Sequence, residues 1–414
     1  MKGGIYMIIF FEVKKSKFRF YMQILLVMCM LILSVFPESI HAKTIDNMYA
    51  RSYALTDGVT GRVLVGNQET TPMANASTTK ILTCIVTLEN CDIEESVVIS
   101  ENAASQPRVR LGMQEGEVYP LKDLLYGLML ESYNDCAVAI AEHVAGSVEA
   151  YADMLNQKAK DIGCKDTYFI TPNGLDAETT TDFHHTTAED LCNIMSYCVW
   201  SSPKQEMFLE ITQTREYEGK SEKKNYHFYN RNSFLDQMEG VVSGKTGYTS
   251  KAGYCYVAAL EKDGRRYCIA LLACGWPNNK TYKWKDARRL FEHGIENYNN
   301  VKIAEGEVKE ELVVDGCVGE ANLSCINRKM TMTLTGFAKS KEVLLHDTEE
   351  VQKEIVLYTD EELPYEKGQV LGECTYYIDD VILESIPLVA NQSCGKWNVA
   401  TILVKIWLQY LSFS

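Results

Sequence analysis

The chain has 414 residues, 46% of them apolar on a wide count and 23% charged, with 41 Lys and Arg against 56 Asp and Glu. That composition is globular rather than disordered or low in complexity, and the length suits two or three domains. A formal charge of −15 disfavours nonspecific attraction to phosphate backbones, so no nucleic-acid partner is expected.

Near the N-terminus Lys14, Lys15, Lys17 and Arg19 precede the apolar run Phe20 to Phe36, which Pro37 follows. This is a secretory signal pattern over residues 1–42, with Ile40-His41-Ala42 as the cleavage site. That site fits the small-x-small rule imperfectly, which leaves an uncleaved anchor as the other outcome. Removal takes away five basic residues (Lys2, Lys14, Lys15, Lys17, Arg19) and two acidic ones (Glu12, Glu38), moving the net charge to about −18. Most of the cysteines sit in apolar runs, as in Thr83-Cys84-Ile85, and read as small buried hydrophobes. Cys317 and Cys325, eight residues apart, are the first pair expected to bond.

Tyr53 to Val65, with Asp57-Gly58 and Thr60-Gly61 between its apolar halves, reads as a hairpin. Ala76-Ser77 then opens an apolar-periodic helix through Leu88, placing Ser77 at its start and Lys80 one turn later on the same face. Helices are predicted over Leu121 to Leu130 and Ala137 to Val144, on either side of the polar break Ser132-Tyr133-Asn134-Asp135. Two more span Ala150 to Ile162 and Ala188 to Val199, with a turn at Thr171 to Leu175 between them. After a polar, charge-rich stretch from Thr212 to Asn232 come three strand patterns, Val241 to Gly247, Tyr254 to Leu260 and Arg266 to Cys274. A helix over Trp284 to Tyr298 closes the domain. Helices around an antiparallel sheet make residues 43–300 an α+β layered domain.

Residues 301–390 carry short strands with weak helical periodicity, predicted at Glu311 to Val314, Met330 to Leu334, Glu354 to Tyr358 and Tyr376 to Leu383. They form a separate small β domain. Within the last segment, 395–414, the run Trp397 to Phe413 is apolar except for Asn398, Thr401, Lys405, Gln409 and Ser412, which recur every three or four residues. Drawn as a helix this gives a narrow polar stripe, suited to lying in a membrane interface. A terminal helix docked on its own domain is the competing reading.

Ser-x-x-Lys occurs four times, at Ser77, Ser201, Ser221 and Ser393, but only Ser77 stands where a loop becomes an apolar helix. There a hydroxyl lies one turn from the Lys80 amine, at a helix end that favours developing negative charge. Ser132-Tyr133-Asn134 offers a hydroxyl and a carboxamide from a polar break. Lys245-Thr246-Gly247 occurs once, at the end of an apolar strand, where glycine lets a ligand approach the strand edge. Each has a plain structural reading when taken alone: a capping serine, a helix-capping loop, a solvated strand end.

Together, in this order and with separations of 55 and 113 residues, the three resemble the active-site motifs of the penicillin-binding protein and serine β-lactamase superfamily. Low-molecular-mass D-alanyl-D-alanine carboxypeptidases, of the peptidase S11 type, are most similar. The resemblance also covers Asp57 with Thr60-Gly61, Leu124 to Gly146, Thr167 to Leu175, Thr187 to Leu191 and Lys245 to Gly253. It implies a β-lactamase/transpeptidase-like fold, a β domain and a terminal amphipathic helix.

It further implies that Ser77 attacks the carbonyl between two D-alanines, with Lys80 as base and Ser132 as proton relay to the leaving amine. Asn134 would hold the substrate amide, Lys245 supply positive potential and Thr246 bind the terminal carboxylate. Backbone N–H groups of Ser77 and Tyr248 would form the oxyanion hole. Three positions depart from the family pattern: Tyr133 where glycine is frequent, Tyr248 where histidine is common, and Lys283 where many relatives carry a carboxylate-binding arginine. Peptidoglycan stem peptides are the implied substrate, β-lactams the covalent inhibitors, and the extracytoplasmic face of the cytoplasmic membrane the location. No cofactor and no metal are expected; His184-His185 lacks further ligands at metal spacing and reads as a loop element near the cleft. Two alternatives remain, a serine β-lactamase and a catalytically silent binder of cell-wall peptides. The former needs a group driving rapid deacylation, and the expectation is that no Glu-x-x-x-Asn segment between the second and third motifs supplies it.

Overall fold

The computed structural model describes residues 44–221, 225–319, 329–358, 363–378 and 381–396, together with Val399, Ala400, Leu403, Trp407 and Tyr410. The predicted signal segment, residues 1–42, therefore lies outside the described residues.

In chain order the first region contains β1 (Ser52–Asp57), β2 (Val63–Asn67), α1 (Lys80–Asn90), β3 (Ser96–Val98), α2 (Glu101–Ala104), β4 (Val118–Pro120), α3 (Leu121–Tyr126), α4 (Asn134–Ala145) and α5 (Val148–Ile162). It continues with α6 (Ala188–Ser196), α7 (Gln205–Gln213), β5 (Glu216–Lys220), β6 (Asn225–Tyr229), β7 (Val241–Thr249), β8 (Gly253–Lys262), β9 (Arg265–Leu272) and α8 (Tyr282–Asn297). The β1–β2 turn is made by Asp57, whose carboxylate accepts the Val59 N–H at 2.8 Å and the Thr60 hydroxyl at 3.0 Å.

Five strands form an antiparallel sheet in the order β2-β1-β9-β8-β7. Successive side chains on a strand point to opposite faces, and here both faces are covered. Cys255, Val257 and Ala259 of β8 enter the core shared with α1, α4 and α6, whereas Tyr256, Ala258 and Leu260 pack with Leu290 and Phe291 of α8. The result is an α+β domain of helices around an antiparallel sheet, as the sequence predicts, here in three layers with α1 buried.

Several boundaries differ from the sequence reading. Ser77 sits in a 3-10 turn, Ala76–Thr79, rather than in the helix that Lys80 begins. Asn134 and Asp135 belong to α4 and not to the polar break, because the Asp135 carboxylate accepts the Leu111 and Gly112 N–H groups and holds that helix start against the 111–113 loop. The polar stretch from Thr212 to Asn232 contains a hairpin, β5–β6, whose one-sided aromatic alternation (Tyr217; Tyr226, Phe228) is masked by charge on the other face.

The second region comprises β10 (Tyr298–Asp315), β11 (Cys317–Gly319), β12 (Lys329–His346), β13 (Gln352–Leu357), β14 (Val370–Ile378), β15 (Val381–Ala390) and β16 (Cys394–Lys396). Its main sheet runs β10-β12-β15-β14-β13 over a core that includes Leu312, Met332, Leu334, Leu371 and Ile386. The predicted strand Tyr376 to Leu383 is two antiparallel strands, β14 and β15. A partly buried bidentate pair ties the two regions: Arg62 meets Glu349 at 2.9 and 3.0 Å, and the Leu344 N–H donates to Asp57 at 3.1 Å.

The expected Cys317–Cys325 bond involves a residue outside the described set; Cys394 is disulfide-bonded, and Cys84, Cys192, Cys255 and Cys268 are buried thiols. In the terminal segment Val399, Ala400, Leu403, Trp407 and Tyr410 are helical, and the four larger side chains are exposed. Among the described residues no helix is long and apolar enough to cross a membrane.

Candidate active site

Between the helical layer and the β7 edge of the sheet lies a cleft of about 480 Å³ lined by Ser77, Ser132, Asn134, Thr246, Tyr248 and Lys283, together with Arg108 and Arg231. Six of the eight residues singled out in the sequence face this one space, and the other two, Lys80 and Lys245, lie buried beneath it.

The approach of Ser77 depends on unusual backbone. Ala76, just before it, has φ +51°, and Gly174 has φ +77° where a Cβ would stand 1.9 Å from the Ala76 carbonyl oxygen. Only a glycine permits that contact, which brings the 172–175 loop against the turn bearing Ser77. At Gly247 of β7 a Cβ would come within 2.9 Å of the Ser77 nitrogen, so the strand passes directly over the start of the turn.

Lys80 is fully buried. Its Nζ lies 2.9 Å from Ser77 Oγ, 3.0 Å from Asn134 Oδ1 and 2.6 Å from the Asn173 carbonyl oxygen. Burial, and then the nearby Lys245 charge, hold its ammonium well below the usual lysine range. Ser132 ends a π-helical turn, Gly127–Glu131, in the left-handed conformation (φ +67°). That turn aims its hydroxyl at Lys245, whose Nζ donates to Ser132 Oγ at 2.9 Å and to the Thr246 carbonyl at 2.9 Å. Burial pushes Lys245 down to about 7.

On the opposite wall, Lys283 donates to the Lys280 carbonyl at 2.6 Å and lies over the Tyr254 and Trp284 rings, 4.8 and 4.5 Å from their centroids. Burial lowers it to about 8. Tyr248 is 39% exposed, its ring tilted by 39° against Tyr254 with centroids 4.7 Å apart, leaving its side chain at the cleft mouth.

Residues 39–273 match the family model described as Peptidase_S11, D-alanyl-D-alanine carboxypeptidase. The chain belongs to this family. It is 27% identical over 370 residues to D-alanyl-D-alanine carboxypeptidase DacF of Bacillus subtilis, covering 88% of this chain and 90% of that one. DacB2 of Mycobacterium tuberculosis is 30% identical over 247 residues, 59% of this chain and 82% of the relative. Among solved structures, penicillin binding protein 5 from Haemophilus influenzae superposes with a TM-score of 0.66 at 24% identity, covering 85% of this chain and 99% of that one, a likeness of fold.

Two parts of this peptidase S11 site escape the sequence motifs. His184 is buried, and burial lowers it to about 3, so the ring is neutral. Its Nδ1 accepts the Ile170 and Thr171 N–H groups at 3.0 and 3.3 Å, which leaves Nε2–H to donate to Thr79 Oγ1 at 2.9 Å. The ring thus joins the loop bearing Asn173 to the turn bearing Ser77; a His-His pair shows this only once both strands of chain are placed. The second is the β5–β6 hairpin. Tyr133, the departure from the family pattern, packs edge-on to Phe228 with centroids 5.6 Å apart, and Glu131 accepts the Tyr229 N–H and the Arg231 guanidinium at 2.9 and 2.7 Å. These contacts brace the turn that presents Ser132.

One correction concerns deacylation. A Glu-x-x-x-Asn segment does occur between the second and third motifs, from Glu189 to Asn193 on α6. Glu189 is paired with Lys165 at 2.9 Å, Asn193 lies beside Gly61, and neither lines the cleft.

Proposed function

We propose that the protein is a serine D-Ala-D-Ala carboxypeptidase that removes the terminal D-alanine from peptidoglycan stem peptides through an acyl-enzyme on Ser77. The observation that carries this reading is the Lys80 amine, buried, depressed in pKa and 2.9 Å from Ser77 Oγ. A neutral amine at that distance is a general base for the hydroxyl.

In the first step Ser77 Oγ bonds to the penultimate D-alanine carbonyl carbon while its proton passes to Lys80 Nζ. The carbonyl oxygen takes the negative charge, received by the N–H groups of Ser77 and Tyr248, where β7 crosses the turn. Collapse breaks the peptide C–N bond, and the leaving amine takes a proton by way of Ser132. Asn134, whose Oδ1 is engaged by Lys80, offers its Nδ2 to the substrate amide. Thr246 and the Lys245 charge receive the terminal carboxylate, with Lys283 on the facing wall. Water, deprotonated by the same amine, then cleaves the ester and frees Ser77. β-Lactams present a comparable acyl centre and acylate the same oxygen.

The basic-then-apolar N-terminal segment supports export to the extracytoplasmic face of the cytoplasmic membrane. The exposed helical residues Val399, Leu403, Trp407 and Tyr410 support a terminal amphipathic helix lying on the membrane surface, with residues 301–390 as the spacer beneath a catalytic domain of residues 43–300. The placement of Glu189 away from the cleft favours the carboxypeptidase over a β-lactamase, and an intact buried lysine is superfluous to a silent binder.

Release of D-alanine from a peptide ending in D-Ala-D-Ala tests the reading. It is expected in the wild type and at least ~10³-fold slower in Ser77→Ala. Undiminished release from the variant overturns the assignment.

A further inference from the structure

The two helices that begin with Lys80 and Asn134 converge again at their other ends. Cys91 caps the C-terminus of α1, His143 lies in the last turn of α4, and Glu95 sits on the short connection between α1 and β3. A sulfur, an imidazole nitrogen and a carboxylate oxygen from these three residues all lie within 4.8 Å of one another. His143 Nε2 is 2.8 Å from Glu95 Oε2, while Glu95 Oε1 accepts the Asp92 N–H at 2.8 Å.

We infer that Cys91, Glu95 and His143 form a binding site for a zinc-type divalent cation, with the fourth position open to water. One thiol, one imidazole and one carboxylate make a mixed S, N, O set that suits zinc and not calcium or magnesium, which take oxygen cages. Bonds of about 2.0–2.3 Å in a tetrahedron separate ligand atoms by roughly 3.3–3.8 Å. The observed spread needs shifts of about 1 Å, within reach of side chains that are all at least partly exposed. The Asp92 N–H already orients the carboxylate, as outer-shell donors do at metal centres. On binding, the Cys91 proton passes to solvent and the metal takes the thiolate.

An ordinary Glu95–His143 ion pair explains two of the three residues and gives the thiol no part. Ligands separated by 4 and 48 residues on three elements form no sequence motif, which is why the sequence predicts no metal. With α1 rising 1.5 Å per residue, the site stands about 16 Å from Lys80, so the metal staples the two catalytic helices without entering the chemistry.

The test uses the full mature chain, stripped with a chelator and titrated with Zn²⁺ alone by calorimetry, and with Co²⁺ by absorption. One equivalent is expected, with a thiolate-to-cobalt charge-transfer band and a rise in thermal midpoint on adding zinc. Cys91→Ser loses the band, Cys91→Ser and His143→Ala each weaken zinc at least ~10-fold, and Glu95→Gln abolishes the thermal shift. Release of D-alanine is unchanged by all three. Absence of stoichiometric binding, or binding that the substitutions leave untouched, overturns the site and has no bearing on the Ser77 assignment.

Discussion

A neutral primary amine has two N–H groups and one lone pair, and the surroundings of Lys80 match that inventory. Asn134 Oδ1 and the Asn173 carbonyl can only accept, so they take both N–H groups, and the remaining lone pair faces the one neighbour able to donate, Ser77. Protonated, the amine would have the same three oxygens as acceptors, but full burial and then the Lys245 charge oppose the ammonium form. The second cause of its depressed pKa is the Lys245 charge, present below that group's own value of about 7. Removing that charge favours protonation of Lys80, so its pKa rises and the base is lost at a higher pH. In Lys245→Gln the acid limb of kcat/KM for acylation is therefore expected to move to higher pH, alongside a fall in the plateau. An acid limb that stays in place in the variant shows that Lys80 does not supply the base.

Strand and loop geometry explains which parts of the site were legible in advance. The five-strand sheet and the buried α1 follow from period-2 and period-3.6 apolar patterns, and Ser77, Lys80, Ser132, Asn134, Lys245 and Thr246 from three short motifs at their element ends. Asn173, whose carbonyl holds Lys80, was legible only as part of a turn, because a backbone acceptor leaves no mark in residue type. His184 and the β5–β6 hairpin were hidden for a related reason: their roles lie in contacts between distant stretches, and the hairpin alternates aromatic with charged residues in a run that reads as polar. Gly174 is the exception, where residue identity and close approach coincide. A methyl there meets the Ala76 carbonyl on a left-handed backbone. Gly174→Ala is expected to cost about 2–4 kcal/mol and to displace the turn bearing Ser77, seen as a lowered thermal midpoint together with slowed acylation. An unchanged midpoint shows that the loop does not press on the turn.

Across the whole molecule the catalytic layers and the β domain share more than a linker. Tyr298 begins β10 yet packs in the core beneath α8 and donates to the Leu64 carbonyl at 2.8 Å, while Arg62 reaches across to Glu349. Arg62 and Glu349 side chains are 7% and 16% exposed, so the pair is largely desolvated. Deleting one partner strands the other: Glu349→Ala is expected to cost about 3 kcal/mol by thermal unfolding with D-alanine release intact below the transition. A negligible change indicates that water already screens the pair. The chemistry itself rests on one oxygen atom, Ser77 Oγ. Trapping the protein with a penicillin and locating the adduct by peptide mass spectrometry tests that most directly. One equivalent of the acyl group on the peptide containing Ser77, and none in Ser77→Ala, is the expected result; an adduct on any other residue contradicts it.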